Sequence, residues 1–395
     1  MKRVQLAIFV LITADACAIG FRLPNQDPEG IARGNAFAAT ADNPSAIYYN
    51  PAGITQLEGH QLSMGLYFIS TGVDYTSATG QKGSTVQDFQ AVPQIYYVYS
   101  PDASGLSYGF GVYAPYGLGI EYENNNPFPT LAQEGEILYA CFNPVVAYEL
   151  TPELSLAAGL TLNYSEATLK RRIGLVAGDE FRFEGDGFTT GFNLGLLWQP
   201  DPMWSFGLNF RSPTRVDYTG ESIAAPFSIY QSTDASVDYP GFIVGGVSFR
   251  PNGDWNFEFN LDWTDWDRVN DTEFVGTFGG NQTFPFRYES GFTYNFGVTR
   301  KLEDGYYMSA GYIFSENSVP SETFTPLNPD SNLHLGSIGF GHRGERYSWA
   351  VGYHFAYNGG RTVAGNTAVS PAGETANGEY RTLNHAVNLS VRYSF

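Results

Sequence analysis

The chain has 395 residues and a formal net charge of −19, with 15% charged and 16% aromatic residues and 45 glycines. Soluble domains usually carry about 25% charged residues, so this composition is unusual for one of them. The excess of acidic side chains argues against a nucleic-acid-binding protein, because phosphate recognition needs clustered Lys and Arg.

The N-terminus has the pattern of a secretory signal peptide. A basic start and an apolar run from Val4 to Ile12 precede small residues at Ala16 and Ala18, which predicts cleavage after Ala18. Acylation of Cys17, as in lipoproteins, is a weaker alternative. The apolar run is too short to cross a bilayer, which takes about 20 residues. We therefore predict a signal peptide over residues 1–18 and export of the mature chain.

The first mature residues, Ile19–Gly59, are rich in Gly and Ala and show no alternation of apolar and polar side chains. The stretch Asp42–Ser45 predicts a short helix with Pro44 at its first position, where proline is favoured. The segment is too short for a domain of its own. We predict a small helical hatch over residues 19–59 that plugs the lumen of a larger structure.

From residue 60 onward, apolar and polar residues alternate with a period of two, which indicates β-strands. In the last strand, Val387, Leu389 and Val391 alternate with Asn388 and Ser390. The pattern predicts fourteen strands, near residues 60–76, 86–100, 105–121, 135–149, 153–171, 180–199, 203–218, 236–250, 254–268, 285–300, 305–315, 331–343, 345–358 and 380–395. Small and polar residues on the second face are typical of transmembrane strands with one lipid face and one lumen face.

The connections between these strands alternate in length. Short polar turns, such as those at 101–102 and 151–152, alternate with longer loops. The long loops are predicted near residues 77–85, 122–134, 172–179, 219–235, 269–284, 316–330 and 359–379. This alternation is typical of bacterial barrels, with short periplasmic turns and long external loops. The sequence therefore predicts an all-β protein, a transmembrane antiparallel β-barrel over residues 60–395 in the outer membrane of a Gram-negative-type bacterium.

Further expectations concern partners. A chain that ends in an amphipathic strand with a terminal aromatic, Phe395, resembles the barrels that the assembly machinery recognises. We expect contacts with outer-membrane lipid and, through the basic run Lys170–Arg172, with lipopolysaccharide phosphate. We also expect a monomer.

The sequence contains no zincin motif, nucleophile elbow or Walker loop. The GxGxxG spacing of Gly339–Gly344 leads into another strand rather than a helix and is interpreted as a tight turn. We therefore predict neither an enzyme nor a cofactor. Only Cys141 remains after the predicted cleavage, and no cysteine metal site is expected. An alternative is a hydrolase that uses lumen-facing His354 and a carboxylate such as Asp262, as some outer-membrane enzymes do.

Two residues are candidates for ligand contact. Phe21, an apolar residue at the mature start, is predicted to reach the lumen and contact a ligand; the alternative is a disordered terminus, common at chain ends. Arg211 falls on the lumen face and is predicted to meet an anionic head group. Its alternative is a structural salt bridge to Glu258, Asp262 or another carboxylate of the wall, since buried charges need partners.

The third predicted strand contains residues that weaken a β-ladder. Pro115 cannot donate a ladder hydrogen bond, and Gly117, after Tyr116, permits a bulge. We predict that the strand kinks at Pro115, Tyr116 and Gly117 and opens the wall sideways beside residues 114–119. A plain bulge near the outer rim is the alternative.

Short motifs along the whole chain resemble those of the FadL/TodX family of outer-membrane transporters. The matching residues are Gly20-Phe21, Gly30, Gly34, Ala36, Ala41-Asp42, Ser45-Ala46, the hatch motif Asn50-Pro51-Ala52, Val92-Pro93, Asn143-Pro144, Arg211-Ser212, Trp263 to Trp266, Gly311-Tyr312, Pro329-Asp330-Ser331 and Phe395. The resemblance implies a fourteen-stranded barrel closed by an N-terminal hatch, with an inward kink in the third strand. It also implies transport of long-chain fatty acids or aromatic hydrocarbons.

Together these observations predict a passive channel that binds hydrophobic small molecules in its lumen and releases them laterally through the wall. No energy-coupling segment is evident. A general water-filled porin is the first alternative, although it would not need a plug. A structural or adhesion barrel is the second.

Overall fold

The computed structural model describes residues 20–395 except positions 88, 103, 278, 279 and 371, and it does not describe the side chain of residue 118. The predicted signal peptide and Cys17 lie outside these residues. The chain begins with helices α1 (Pro28–Ala32) and α2 (Ala46–Tyr49) and a 3₁₀ turn at Pro51–Gln56. No helix in the described part of the chain is long and apolar enough to span a membrane.

Strands make up most of the remaining regular structure in the described ranges. They are β1 (Gly59–Ser77), β2 (Lys82–Ser84), β3 (Gln90–Ser100), β4 (Leu106–Tyr113), β5 (Leu118–Glu121), β6 (Glu134–Thr151), β7 (Leu154–Arg171), β8 (Glu180–Trp198), β9 (Trp204–Arg211), β10 (Thr214–Ala225), β11 (Ile229–Tyr239), β12 (Phe242–Phe249), β13 (Trp255–Thr264), β14 (Asp271–Val275), β15 (Gln282–Pro285), β16 (Gly291–Lys301), β17 (Tyr306–Ser315), β18 (Leu333–Arg343), β19 (Tyr347–Tyr357), β20 (Arg361–Val363) and β21 (Gly378–Ser394). Two further 3₁₀ turns lie at Trp266–Arg268 and Glu303–Gly305.

These strands form one closed antiparallel barrel. Most ladders join strands that are close in the chain, and β1 closes the wall by pairing with both β3 and β21. Several strands of the wall are interrupted, so that two segments together form one strand, as β4 does with β5 and β9 with β10. Counted in this way, the wall contains fourteen strands. The predicted fold class is confirmed.

The two faces of the wall differ as the alternation predicts. In β21, Val387 and Leu389 are 38% and 42% exposed on the outer face, whereas Asn388 between them is 1% exposed and faces inward. Because side chains alternate between the faces of a strand, one sequence pattern supplies both a lipid face and a polar lumen.

Two predicted external loops are wrong in detail. Residues 219–235 continue the strands β10 and β11, which stay paired up to a turn at 226–228. Residues 269–284 contain the hairpin of β14 and β15. Beyond the membrane a strand has no lipid face, so both of its faces are rich in polar residues and the apolar alternation fades.

The predicted short helix is present, but it begins later. Helix α2 starts at Ala46, not Pro44, because the Asn43 side chain organises the preceding residues as a turn. Its Oδ1 accepts hydrogen bonds from the backbone N–H of Ser45 at 2.9 Å and from the Ser45 hydroxyl at 2.6 Å. Such local bonds compete with the helix.

Residues 20–57, here called the N-terminal segment, lie against the inner face of the wall. Wall asparagines donate side-chain hydrogen bonds to its carbonyls: Asn193 to Ile47 at 3.2 Å, Asn209 to Tyr48 at 3.0 Å and Asn260 to Asn35 at 3.1 Å. At the point of closest approach, Gly311 faces Gly34, and a Cβ at Gly311 would lie 2.0 Å from the Gly34 nitrogen. Polar side chains of the wall therefore satisfy backbone groups that no ladder serves.

Candidate functional site

The third strand is interrupted where the sequence places Pro115, Tyr116 and Gly117. Strand β4 ends at Tyr113 and β5 begins at residue 118, and residues 114–117 between them are buried. The N-terminal segment pairs with this break. The backbone N–H of Leu23 donates to the Pro115 carbonyl and that of Gly117 donates to the Phe21 carbonyl, both at 2.9 Å. Lateral opening at this break remains a prediction.

The break leaves part of the second strand without a neighbouring strand on one side. The ladder between β3 and β4 ends at Ile95 and Val112, so Gln90–Gln94 pair only with β1. Side chains cross this gap on the inside. Gln94 donates to the Asn25 carbonyl at 3.0 Å, and Gln26 donates to the Ala114 carbonyl at 2.6 Å. The N-terminal segment thus covers the gap from within the barrel.

Phe21 lies in a cage of aromatic rings. It is 5% exposed, and its ring centroid lies 6.2 Å from Tyr116, 5.4 Å from Tyr239, 5.1 Å from Trp266 and 6.4 Å from Tyr288. Most of these contacts have the edge-to-face geometry that aromatic pairs prefer. The structure therefore places Phe21 inside the barrel in contact with the broken strand.

On the outer side of this cage lies an apolar cavity of about 170 Å³. Its wall includes Phe21 together with Ile137, Leu169, Phe183, Phe274, Phe284, Phe286, Phe324 and Leu327. Residues of the external loops, such as Phe324, close it from outside. A dry apolar cavity of about 150 Å³ holds a benzene-sized molecule, so this space suits a small ring or a stretch of hydrocarbon chain.

A layer of charged residues lies on the opposite side of the aromatic cage from this cavity. Arg211 is 4% exposed; it donates to the Tyr113 hydroxyl and contacts the Cys141 sulfur at 3.6 Å. Arg22 takes the carboxylate instead, because its Nη1 donates to Asp262 at 2.7 Å. The alternative prediction of a salt bridge from Arg211 to Asp262 or Glu258 is therefore wrong.

Glu258 is occupied by the N-terminal segment. Its Oε1 accepts a hydrogen bond from the backbone N–H of Ala39 at 2.8 Å, and its Oε2 accepts one from the Thr40 hydroxyl. The carboxylate thus accepts hydrogen bonds from one backbone N–H and one hydroxyl of the N-terminal segment, which the segment could not satisfy by itself.

The motif Asn50-Pro51-Ala52 forms the start of the 3₁₀ turn. The Asn50 side chain accepts from the Ala52 N–H at 3.2 Å and donates to the carbonyls of Ala38 at 2.7 Å and Leu196 at 2.9 Å. One amide therefore caps the turn, holds two parts of the N-terminal segment together and joins them to β8. Its role as a hatch motif remains a prediction.

The structure does not bring the alternative catalytic pair together. The His354 ring packs beside Tyr67 with centroids 5.9 Å apart, whereas Asp262 is bound by Arg22. In the part of the chain that the structure describes, no group of three His, Cys, Asp or Glu side chains could hold a metal ion.

Several site residues were not predicted from the sequence. Arg22 and the cage residues Tyr239 and Tyr288 belong to no motif, and Trp266 was recognised only as part of a family motif, without a role in a cage. One signal was available, because Pro240-Gly241 follows Tyr239 and marks the break between β11 and β12. Proline and glycine inside a predicted strand indicate such breaks.

Comparisons with known proteins agree with this architecture. The family model described as "Outer membrane protein transport protein (OMPP1/FadL/TodX)" matches residues 9–395. A curated long-chain fatty acid transport protein of Escherichia coli K12 is 23% identical over 391 residues, covering 85% of this chain and 86% of the relative. Outer membrane protein P1 of Haemophilus influenzae is 30% identical over 193 residues, or 44% and 42% of the two chains.

Solved structures show the same fold. A FadL homologue of Pseudomonas aeruginosa superposes with a TM-score of 0.85 at 17% identity, over 95% of this chain and all of that one. The toluene transporter TbuX of Ralstonia pickettii gives 0.70 at 19% identity, over 94% and 100%. The predicted family is confirmed: the chain belongs to the OMPP1/FadL/TodX family of outer membrane transport proteins.

Proposed function

We propose that this protein is a passive channel that takes up hydrophobic molecules by binding them in the cavity at Phe21 and releasing them sideways through the wall at Pro115–Gly117. One observation carries the proposal. The Phe21 ring lines the apolar cavity and also packs against Tyr116 in the broken strand. A ligand that displaces Phe21 therefore acts directly on the segment that covers the gap.

The names of related proteins support a hydrophobic ligand. The Escherichia coli relative is named for long-chain fatty acid transport and the Ralstonia pickettii structure for toluene. These ligands share apolar surface and differ in the head group. A hydrophobic ligand with or without a head group is consistent with the apolar cavity.

The lateral route follows from the energetics of exit. Apolar surface exposed to periplasmic water costs about 25 cal/mol per Å², and exit into the bilayer avoids that cost. Beside Gln90–Gln94 the wall lacks a ladder on one side, and the N-terminal segment covers this gap from inside.

The other predicted roles stay proposals. Arg211 and the cavity lie on opposite sides of Phe21. Arg211 would therefore meet an anionic head group only after the ligand had moved past the aromatic cage. The monomeric state and the contacts with lipopolysaccharide and the assembly machinery also stay predictions.

The route is tested by closing the gap. Val92 and Ala114 lie on opposite sides of it in one buried apolar cluster. Cysteines at these positions, in a Cys141→Ser background, are joined with a short bifunctional thiol reagent. Uptake of an apolar substrate by cells should stop in the crosslinked protein, because the gap can no longer widen.

A matched control uses Thr299 and Ser309, whose hydroxyls are 2.8 Å apart on the intact ladder of β16 and β17. Crosslinking them should leave uptake unchanged. Full uptake after verified crosslinking of Val92 and Ala114 positions would exclude the lateral route.

A further inference from the structure

The charged side chains in the described wall of the apolar cavity have one sign. Among the described residues of its wall, the charged side chains are Glu136 and Glu322, and no Lys, Arg or His is present. Glu136 is half-buried on β6, where it pairs in register with Thr168 of β7, another residue of the cavity wall. Glu322 is exposed in the loop between β17 and β18. A head group at either place would meet a carboxylate.

Two cations on the same side of the barrel are paired with other carboxylates. Lys170 Nζ lies 2.7 Å from Glu134, and Arg287 Nε lies 3.0 Å from Asp271. Neither cation belongs to the cavity wall. Lys170 also attracts Glu136, and Arg287 also attracts Glu322, but each cation already balances another carboxylate, so the cavity wall keeps an excess of negative charge.

The two arginines that stack on rings beside the cavity direct their Nη donors at protein acceptors, whereas Arg171 Nε has no hydrogen-bond partner among the described residues. Arg171 donates to the Thr130 carbonyl at 3.2 Å and to Gln282 at 2.8 Å. Arg361 donates to Asn317 at 2.6 Å and to the carbonyls of residues 319 and 330, both at 2.5 Å. Binding a ligand carboxylate would require these arginines to leave their partners and enter the cavity.

We infer that the cavity selects uncharged apolar molecules and disfavours long-chain carboxylates, with Glu136 and Glu322 as the specificity-determining residues. The inference rests on the proposed function, since it concerns the same cavity. A ligand carboxylate would face like charges at the half-buried Glu136, where water is partly excluded, and at the exposed Glu322. Such repulsion is a common means of rejecting a wrong ligand. A hydrocarbon or an alcohol meets no such repulsion and can use the hydroxyl and amide groups of the wall.

The test compares 1-decanol with decanoate at about pH 8, where the carboxylate is ionised. Each competes with the uncharged fluorophore N-phenyl-1-naphthylamine for the purified barrel in nonionic detergent, and protein-free micelles supply the correction for partitioning. Wild type should bind 1-decanol about tenfold more tightly than decanoate. In the Glu136→Gln/Glu322→Gln double variant, the ratio should fall to about threefold or less. In Glu221→Gln, an exposed residue of β10 outside the cavity wall, it should not change.

The outcomes separate this inference from the proposed function. Equal affinities for the two ligands in wild type would overturn the selection against carboxylates while leaving hydrophobic binding intact. A ratio unchanged in a double variant that binds the fluorophore normally would remove Glu136 and Glu322 from the selection. Failure of the fluorophore and both ligands to bind would overturn the proposed function, and the inference with it.

Discussion

At the scale of single residues, Phe21 connects the cavity with the broken strand. Phe21→Ala removes the ring from the cage of Tyr116, Tyr239, Trp266 and Tyr288 and should weaken binding of an apolar ligand about tenfold, because part of the apolar contact surface is lost. Phe227→Ala, an exposed residue of the turn between β10 and β11, serves as the control. Fluorophore titration measures both variants. Unchanged affinity in Phe21→Ala would favour the alternative of a terminus without a role in binding.

Asp330 gives the external loops a pH dependence. It is fully buried, and its carboxylate accepts from the backbone N–H groups of Ser318 at 2.8 Å and Ser331 at 3.0 Å. Burial raises its pKa from 3.8 to about 6 despite these donors and the nearby Arg361 charge. The folded protein therefore keeps a proton that the unfolded chain releases. The stabilisation is complete below about pH 4 and is lost as the pH rises to about 6.

The variant Asp330→Asn should remove this dependence. As the pH rises from about 4 to 7, the unfolding free energy of wild type should fall relative to the variant by up to about 3 kcal/mol. Urea titrations at several pH values measure the difference. Asp304→Asn, in an exposed turn where the φ of 55° is tolerated by Asn, should track wild type. A constant difference between wild type and Asp330→Asn would contradict the shifted pKa.

At the scale of elements, one buried ion pair ties the N-terminal segment to the barrel wall beside the break. Arg22→Leu leaves Asp262 buried without its cation, which costs about 3–5 kcal/mol, so the strand-like contact at residues 21–23 should open more often. Hydrogen exchange at the amides of Leu23 and Gly117 should accelerate. Arg215→Leu, which removes a pair that is more than half exposed, should have no such effect. Unchanged exchange in Arg22→Leu would show that the backbone bonds hold the segment alone.

The elements also show which features the sequence could predict. The strands were predictable because a lipid face and a lumen face impose a period of two, as in β21. The break at Pro115 was predictable from local backbone chemistry. The aromatic cage was not, because Phe21, Tyr239 and Trp266 come together only after the barrel closes. The partner of Arg211 could not be predicted for the same reason. Asp262 is bound by Arg22, and these two residues are 240 positions apart in the sequence.

At the scale of the whole molecule, the described N-terminal segment occupies a lumen whose wall is polar. Asn193, Asn209 and Asn260 face inward and bind the carbonyls of the segment. Barrels of eight strands are filled by their own side chains, whereas those of sixteen leave an aqueous channel, so a fourteen-stranded wall needs additional chain to close it. The segment supplies that chain, which argues against a general porin.

Deletion of residues 20–57 should therefore open the lumen to water and ions. Conductance in planar bilayers should rise from a low value in wild type to large, steady currents, because the freed asparagines prefer water to an empty space. The barrel itself should persist, since the ladders of β1 with β3 and β21 do not involve the deleted residues. Resistance of the unheated protein to detergent unfolding checks that the deleted form has inserted as a barrel. An inserted barrel without residues 20–57 that conducts no better than wild type would show that the segment does not close the channel.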